Sequence, residues 1–192
     1  HDFSFSINHT LNNNDYHFNS SSSCLIHNKE KDGYLFNVRL VNYNVDEKGS
    51  YGGCEKHIIS MYKYFELDKN FNIIYEKLIN ENYVDKIYIG IEDVRIFNAN
   101  LNSFDNKNDI KFIGTGYNKN NKLGMVHGDY DIKNKNKLEG TEIFPLFNMN
   151  SECEKNWLYF NYKGELHIIY NWFPLKICKI NEDNNTLLEL IE

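Results

Sequence analysis

Arginine is almost missing from this chain: of 21 basic residues, only Arg39 and Arg95 carry a guanidinium. Proline is as scarce, with two in 192 residues. The four cysteines, Cys24, Cys54, Cys153 and Cys178, are widely spaced and form no C-x-x-C pair, so no zinc site or other metal site is expected. Buried free thiols are the simplest expectation, with disulfides left open. No window holds 18 consecutive apolar residues, which removes the expectation of an apolar membrane-spanning helix and of a membrane partner. The N-terminus shows no basic-then-apolar signal pattern, although His1 as first residue leaves a removed leader open. A formal charge of -6 gives no electrostatic reason to expect nucleic acid, whose binding needs a Lys/Arg footprint.

Aromatic residues are abundant, at 15% with 14 Tyr and 13 Phe. Such side chains suit strands and argue against disorder. No long segment has a convincing helical period, whereas short apolar runs alternate with Asn, Asp, Gly and Lys turns such as Asn12-Asn13-Asn14. Strands are predicted over residues 23–27, 34–43, 57–67, 72–78, 86–97, 110–117, 123–132, 142–146, 156–162, 166–172, 175–180 and 187–191. The fold class is therefore all-β, as a single domain over 1–192. Turns following Phe65-Glu66-Leu67-Asp68, Asp129-Tyr130-Asp131-Ile132 and Lys176-Ile177-Cys178-Lys179-Ile180 recur at about fifty to sixty residues, close to the spacing of propeller blades built as four-stranded meanders. Serial short strands also occur in sandwiches, so repetition tilts the choice towards a β-propeller without deciding it.

Chemistry is concentrated in two segments. The first is Gly90-Ile91-Glu92-Asp93-Val94-Arg95-Ile96-Phe97, where a five-donor guanidinium stands beside two carboxylates in a lysine-dominated chain. On a regular strand Asp93 and Arg95 share a face and Glu92 points the other way. The second is Glu154-Lys155-Asn156, a polar triplet placed just before the aromatic run Trp157-Leu158-Tyr159-Phe160.

Taken in order with Tyr34-Leu35-Phe36-Asn37-Val38-Arg39 and Phe112-Ile113-Gly114-Thr115-Gly116-Tyr117, these segments resemble five-bladed β-propeller carbohydrate enzymes. The nearest likeness is to the mannoside phosphorylases and hydrolases of glycoside hydrolase family 130, and to propeller proteins of giant viruses. That family carries Gly-x-Glu-Asp-Pro-Arg; Val94 stands here at its proline, and Asn19-Ser20-Ser21 where an Asn-Pro-Ser-like start belongs. A five-bladed ring needs about 250 to 300 residues, so this chain supplies three to four blades. The rest is expected from self-association or from further chain.

The resemblance implies a carbohydrate partner and Asp93 as general acid at a glycosidic bond, the proton going to the leaving oxygen. It also implies that Arg39, Arg95, Glu92, Glu154, Lys155 and Asn156 bind substrate. No cofactor is implied beyond inorganic phosphate as a possible co-substrate, held by Lys155 and the arginines. Read from the residues alone, Asp93 is a strand-end carboxylate paired with Arg95 in preference to an acid, Glu92 a structural hydrogen-bonding group, and Trp157, Tyr170 and Trp172 core packing instead of stacking surfaces. His127 is a proton carrier or a structural histidine. Two functions follow: cleavage or phosphorolysis of a glycoside, a mannoside by the resemblance, or a non-catalytic glycan-binding or assembly module.

Overall fold

A computed structural model describes residues 4–54, 56–79, 86–100, 107–117, 122–148 and 150–190. Among them there is no α-helix and a single 3-10 turn, Leu146–Asn148. The strands are β1 (Ser6–Leu11), β2 (Asn14–Asn28), β3 (Gly33–Val41), β4 (Asn44–Val45), β5 (Tyr51–Gly52), β6 (Ile58–Leu67), β7 (Ile73–Ile79), β8 (Tyr88–Ile89), β9 (Glu92–Asn98), β10 (Ile110–Tyr117), β11 (Leu123–Asp129), β12 (Thr141–Pro145), β13 (Leu158–Tyr162), β14 (Glu165–Trp172), β15 (Leu175–Asn181) and β16 (Thr186–Glu189). The protein is all-β.

Three antiparallel meanders follow one another along the chain. The first runs β2-β3-β6-β7 with β1 added beside β2, the second β9 to β12, and the third β13 to β16. The second and third join through a short parallel pairing of β12 with β16, Phe144 opposite Thr186 and Pro145 opposite Leu187. The resulting eight-stranded sheet curls into a nearly closed, barrel-like form. The β1-β2 connection is Asn12-Asn13, both at positive φ (50° and 61°), the two-residue turn in which asparagine accepts the left-handed backbone that hairpin twist requires.

Strand alternation sorts the side chains into layers. From β3, Leu35 joins Tyr62, Tyr64, Val94, Ile96, Phe112 and Val126 in the core between the first meander and the outer face of the second. Phe36 and Val38 of the same strand pack on the opposite face with Phe65 and Leu67. The interior of the curled sheet holds Ile113, Met125, Ile143, Trp157, Tyr159, Ile168, Cys178 and Leu187. All four cysteines are free thiols, and only Cys178 is buried.

Two departures from the predicted elements matter for the site. The run 86–97 is not one strand: Gly90 at φ +84° breaks it into β8, paired parallel with β6, and β9, paired with β10. The hairpin β1 was not anticipated; its inward positions Phe5, Ile7 and Leu11 pack beside Phe18, Leu40 and Met61.

Candidate functional site

Glu92 and Asp93 open β9 in an irregular stretch. Arg95 lies opposite Ile113 and Glu92 opposite Thr115, so three steps on β9 span two on β10, a β-bulge that re-aims side chains. Asp93 takes up the extra residue at φ +49°. The buried phenol of Tyr62 pins this bulge, donating to the Ile91 carbonyl (2.8 Å) and accepting from the Val94 N–H (3.0 Å). Opposite it, Gly114 leaves the needed space: a Cβ there would lie 2.6 Å from Ile91 Cγ2 and 2.9 Å from the Glu92 carbonyl oxygen.

The bulge overturns the alternation read from the sequence. Glu92 does not turn away from Asp93; both carboxylates reach the guanidinium of Arg39. Nη2 donates to Glu92 Oε1 at 2.9 Å and Nη1 to Asp93 Oδ1 at 2.7 Å, while Nε and Nη2 also donate to Ser60 Oγ at 2.9 and 2.7 Å. Of the five guanidinium N–H groups, four are thus used, and the side chain is only 7% exposed. Arg39 organises the carboxylates and has little left to offer a ligand. Ser22, lifted by a bulge in β2 between Ser20 and Ser23, adds a hydroxyl donor to Asp93 Oδ1 (3.2 Å).

Burial raises the Glu92 carboxyl above its ordinary value, reinforced by the neighbouring Asp93 and opposed by Arg39 and, more weakly, Lys155. Around these groups stand tyrosines that the sequence reading did not single out. Tyr43 packs edge-on to Tyr51 at 4.8 Å, and Tyr88 tilts against Tyr117 at 5.9 Å. Burial first, then Glu92 among their neighbours, pushes the phenols of Tyr43 and Tyr88 up. Tyr43 precedes β4, and Tyr51, Tyr88 and Tyr117 lie on β5, β8 and β10, so no single local pattern points to the group.

Arg95 does not join Asp93. Its Nη1 donates to the Trp157 carbonyl (3.2 Å) and its Nη2 to Asn156 Oδ1 (3.3 Å), which ties β9 to the approach of β13 across the open seam of the curled sheet. Asn156 is exposed at φ +67°. Glu154 is buried and accepts from Asn148 Nδ2 (2.9 Å) and Tyr170 Oη (3.0 Å), which makes it a brace for the loop ahead of β13. Lys155 is exposed and makes no hydrogen bond or ion pair among the described residues, yet its charge is felt at Glu92. Of the aromatics weighed as stacking surfaces, Trp157 is 1% exposed and belongs to the core, whereas Trp172 is 60% exposed. His127 opens on the other mouth of the curled sheet, beside Lys111 and Asp129.

Arg39, Glu92 and Asp93 therefore form one centre with Lys155 at its margin, while Arg95, Asn156 and Glu154 hold the adjoining seam and loop. Comparison of the chain with protein-family models, curated proteins and solved structures found no match.

Proposed function

We propose that this protein binds a carbohydrate at the Glu92–Asp93 centre. One observation carries the reading: a single, nearly saturated guanidinium holds two carboxylates side by side, each bonded to it through only one oxygen, beneath a group of tyrosines. The remaining oxygens are acceptors for sugar hydroxyls, and phenol faces suit the apolar face of a pyranose. A five-bladed ring would need the second and third meanders to stand as separate blades, whereas the β12-β16 pairing joins them into one curled sheet; the carbohydrate reading does not depend on such a ring.

A second reading, cleavage of the glycosidic bond, draws support from the raised carboxyl of Glu92. Glycoside cleavage pairs a carboxyl group that donates a proton with a second carboxyl group, and a carboxyl pushed upward by burial suits the donor's part. Glu92 then delivers the proton to the leaving oxygen and Asp93, half-exposed, is the partner carboxylate, which exchanges the role the resemblance implied for Asp93. For phosphorolysis the phosphate falls to Lys155, because Arg39 and Arg95 are committed elsewhere.

The test is an NMR titration with methyl mannosides and manno-oligosaccharides, run on the full chain and on Glu92→Gln and Asp93→Asn, together with a product assay with and without phosphate. Saturable shifts at Glu92 to Val94 that both substitutions abolish are expected for binding. Product formation lost in Glu92→Gln establishes cleavage. Unchanged spectra in the presence of sugar, or equal shifts in all three proteins, would sink the proposal.

A further inference from the structure

At the end of the curled sheet away from Glu92 lies a cavity of about 660 Å³, lined from β10 to β15 and the β15-β16 turn. Its size falls within the range of small-molecule sites, and the mouth of an eight-stranded curled sheet is a common place for one. The walls differ in character with depth. Ile168, buried, and Leu166 and Ile180, partly buried, make the floor apolar, and the Tyr159 ring closes it from within. Above the floor His127 Nδ1 and Tyr159 Oη sit 2.8 Å apart, with Asn185 Oδ1 3.5 Å from His127 Nε2.

The charges at the rim do not balance. Lys111 is committed to Asp129 (2.5 Å) with Asp109 at 3.8 Å, and Lys179 to Glu165 (2.8 Å). Glu182 has no ion pair or hydrogen bond through its side chain among the described residues, although its field reaches Lys111, His127 and Tyr159. Burial, assisted by the Lys111 ammonium, keeps His127 below the ordinary histidine value, so at neutral pH it adds no positive charge. The mouth thus carries three lining carboxylates against two ammonium groups over an apolar floor.

We propose that this mouth binds a small organic cation, a protonated amine on a compact apolar body, with the body seated on Leu166, Ile168 and Ile180 and the ammonium directed at Glu182. Charge complementarity selects the class: an anion meets surplus carboxylate, and a neutral ligand of the same shape forgoes the attraction of the exposed Glu182 carboxylate. The site is independent of the carbohydrate proposal and lies at the opposite mouth.

Titration of the 192-residue chain with 2-phenylethylamine and, separately, with 2-phenylethanol tests it, followed by backbone amide shifts at Gly128, Glu182 and Asn185. The amine is expected to bind about fivefold more tightly than the alcohol, in line with one solvent-screened charge pair at the exposed Glu182. In Glu182→Gln the two affinities should converge to within about twofold, and Glu182→Lys should abolish amine binding while leaving the dispersed spectrum of a folded chain. Equal affinity of the two probes for the unsubstituted protein, shifts located outside the mouth, or no saturable shift with either probe would each overturn the proposal.

Discussion

The phenol of Tyr62 serves two backbone groups at once, the Ile91 carbonyl and the Val94 N–H, in a setting where water cannot replace it. Tyr62→Phe keeps the ring and removes only that oxygen, leaving a buried N–H unmet at a cost of about 1–3 kcal/mol. Urea unfolding is expected to register the loss, and amide exchange should quicken first at Val94. Glu92 adds a dependence on pH. Because its carboxyl is held above its ordinary value, the native state binds the proton more tightly than the unfolded chain. The associated stability is fully present below the ordinary carboxylate value and is lost as pH rises through the raised one. Glu92→Gln has no such proton to lose, so its stability relative to the unsubstituted protein should climb across that window in denaturant titrations at a series of pH values; a flat difference would show that Arg39 compensates the carboxylate fully.

At the scale of elements, the two edges of the curled sheet meet where Arg95 bridges β9 to the Trp157 carbonyl and Asn156, with Phe97 and Tyr159 beneath at 6.3 Å. Arg95→Lys cannot reproduce a planar two-point bridge. It should cost about 1 kcal/mol and raise amide exchange selectively along β13. Most strands were legible because aromatic and β-branched residues cluster between Asn, Asp and Gly turns, and the turns singled out as repeating, after Leu67, Ile132 and Ile180, fall at or beside the third-to-fourth strand junctions of the three meanders. The hairpin β1 escaped notice because its period-two pattern, Phe5, Ile7, His9, Leu11, is interrupted by a histidine and flanked by polar residues. The pairing of Arg39 with both carboxylates was hidden for a different reason. Alternation presumes a regular strand, and the bulge at Asp93, set by contacts with Tyr62 and Gly114 from other strands, cancels it.

Across the whole molecule, the first meander and the curled sheet share one core in which Phe112, fully buried, touches both. Asn37 extends that junction, donating to the Val94 carbonyl (3.5 Å) and accepting from Tyr130 Oη (2.6 Å). The two parts should therefore unfold together. Phe112→Ala is expected to remove about 3–5 kcal/mol while calorimetry still shows one transition; two separated transitions would mean that the meander and the curled sheet hold themselves independently. The unequal burial of the two tryptophans, 1% for Trp157 and 60% for Trp172, offers a means of watching this. Their intrinsic fluorescence should come from two environments, a short-wavelength emitter sealed in the sheet interior and a long-wavelength one in water, so Trp172→Phe would yield a chain whose emission maximum reports the integrity of that interior alone.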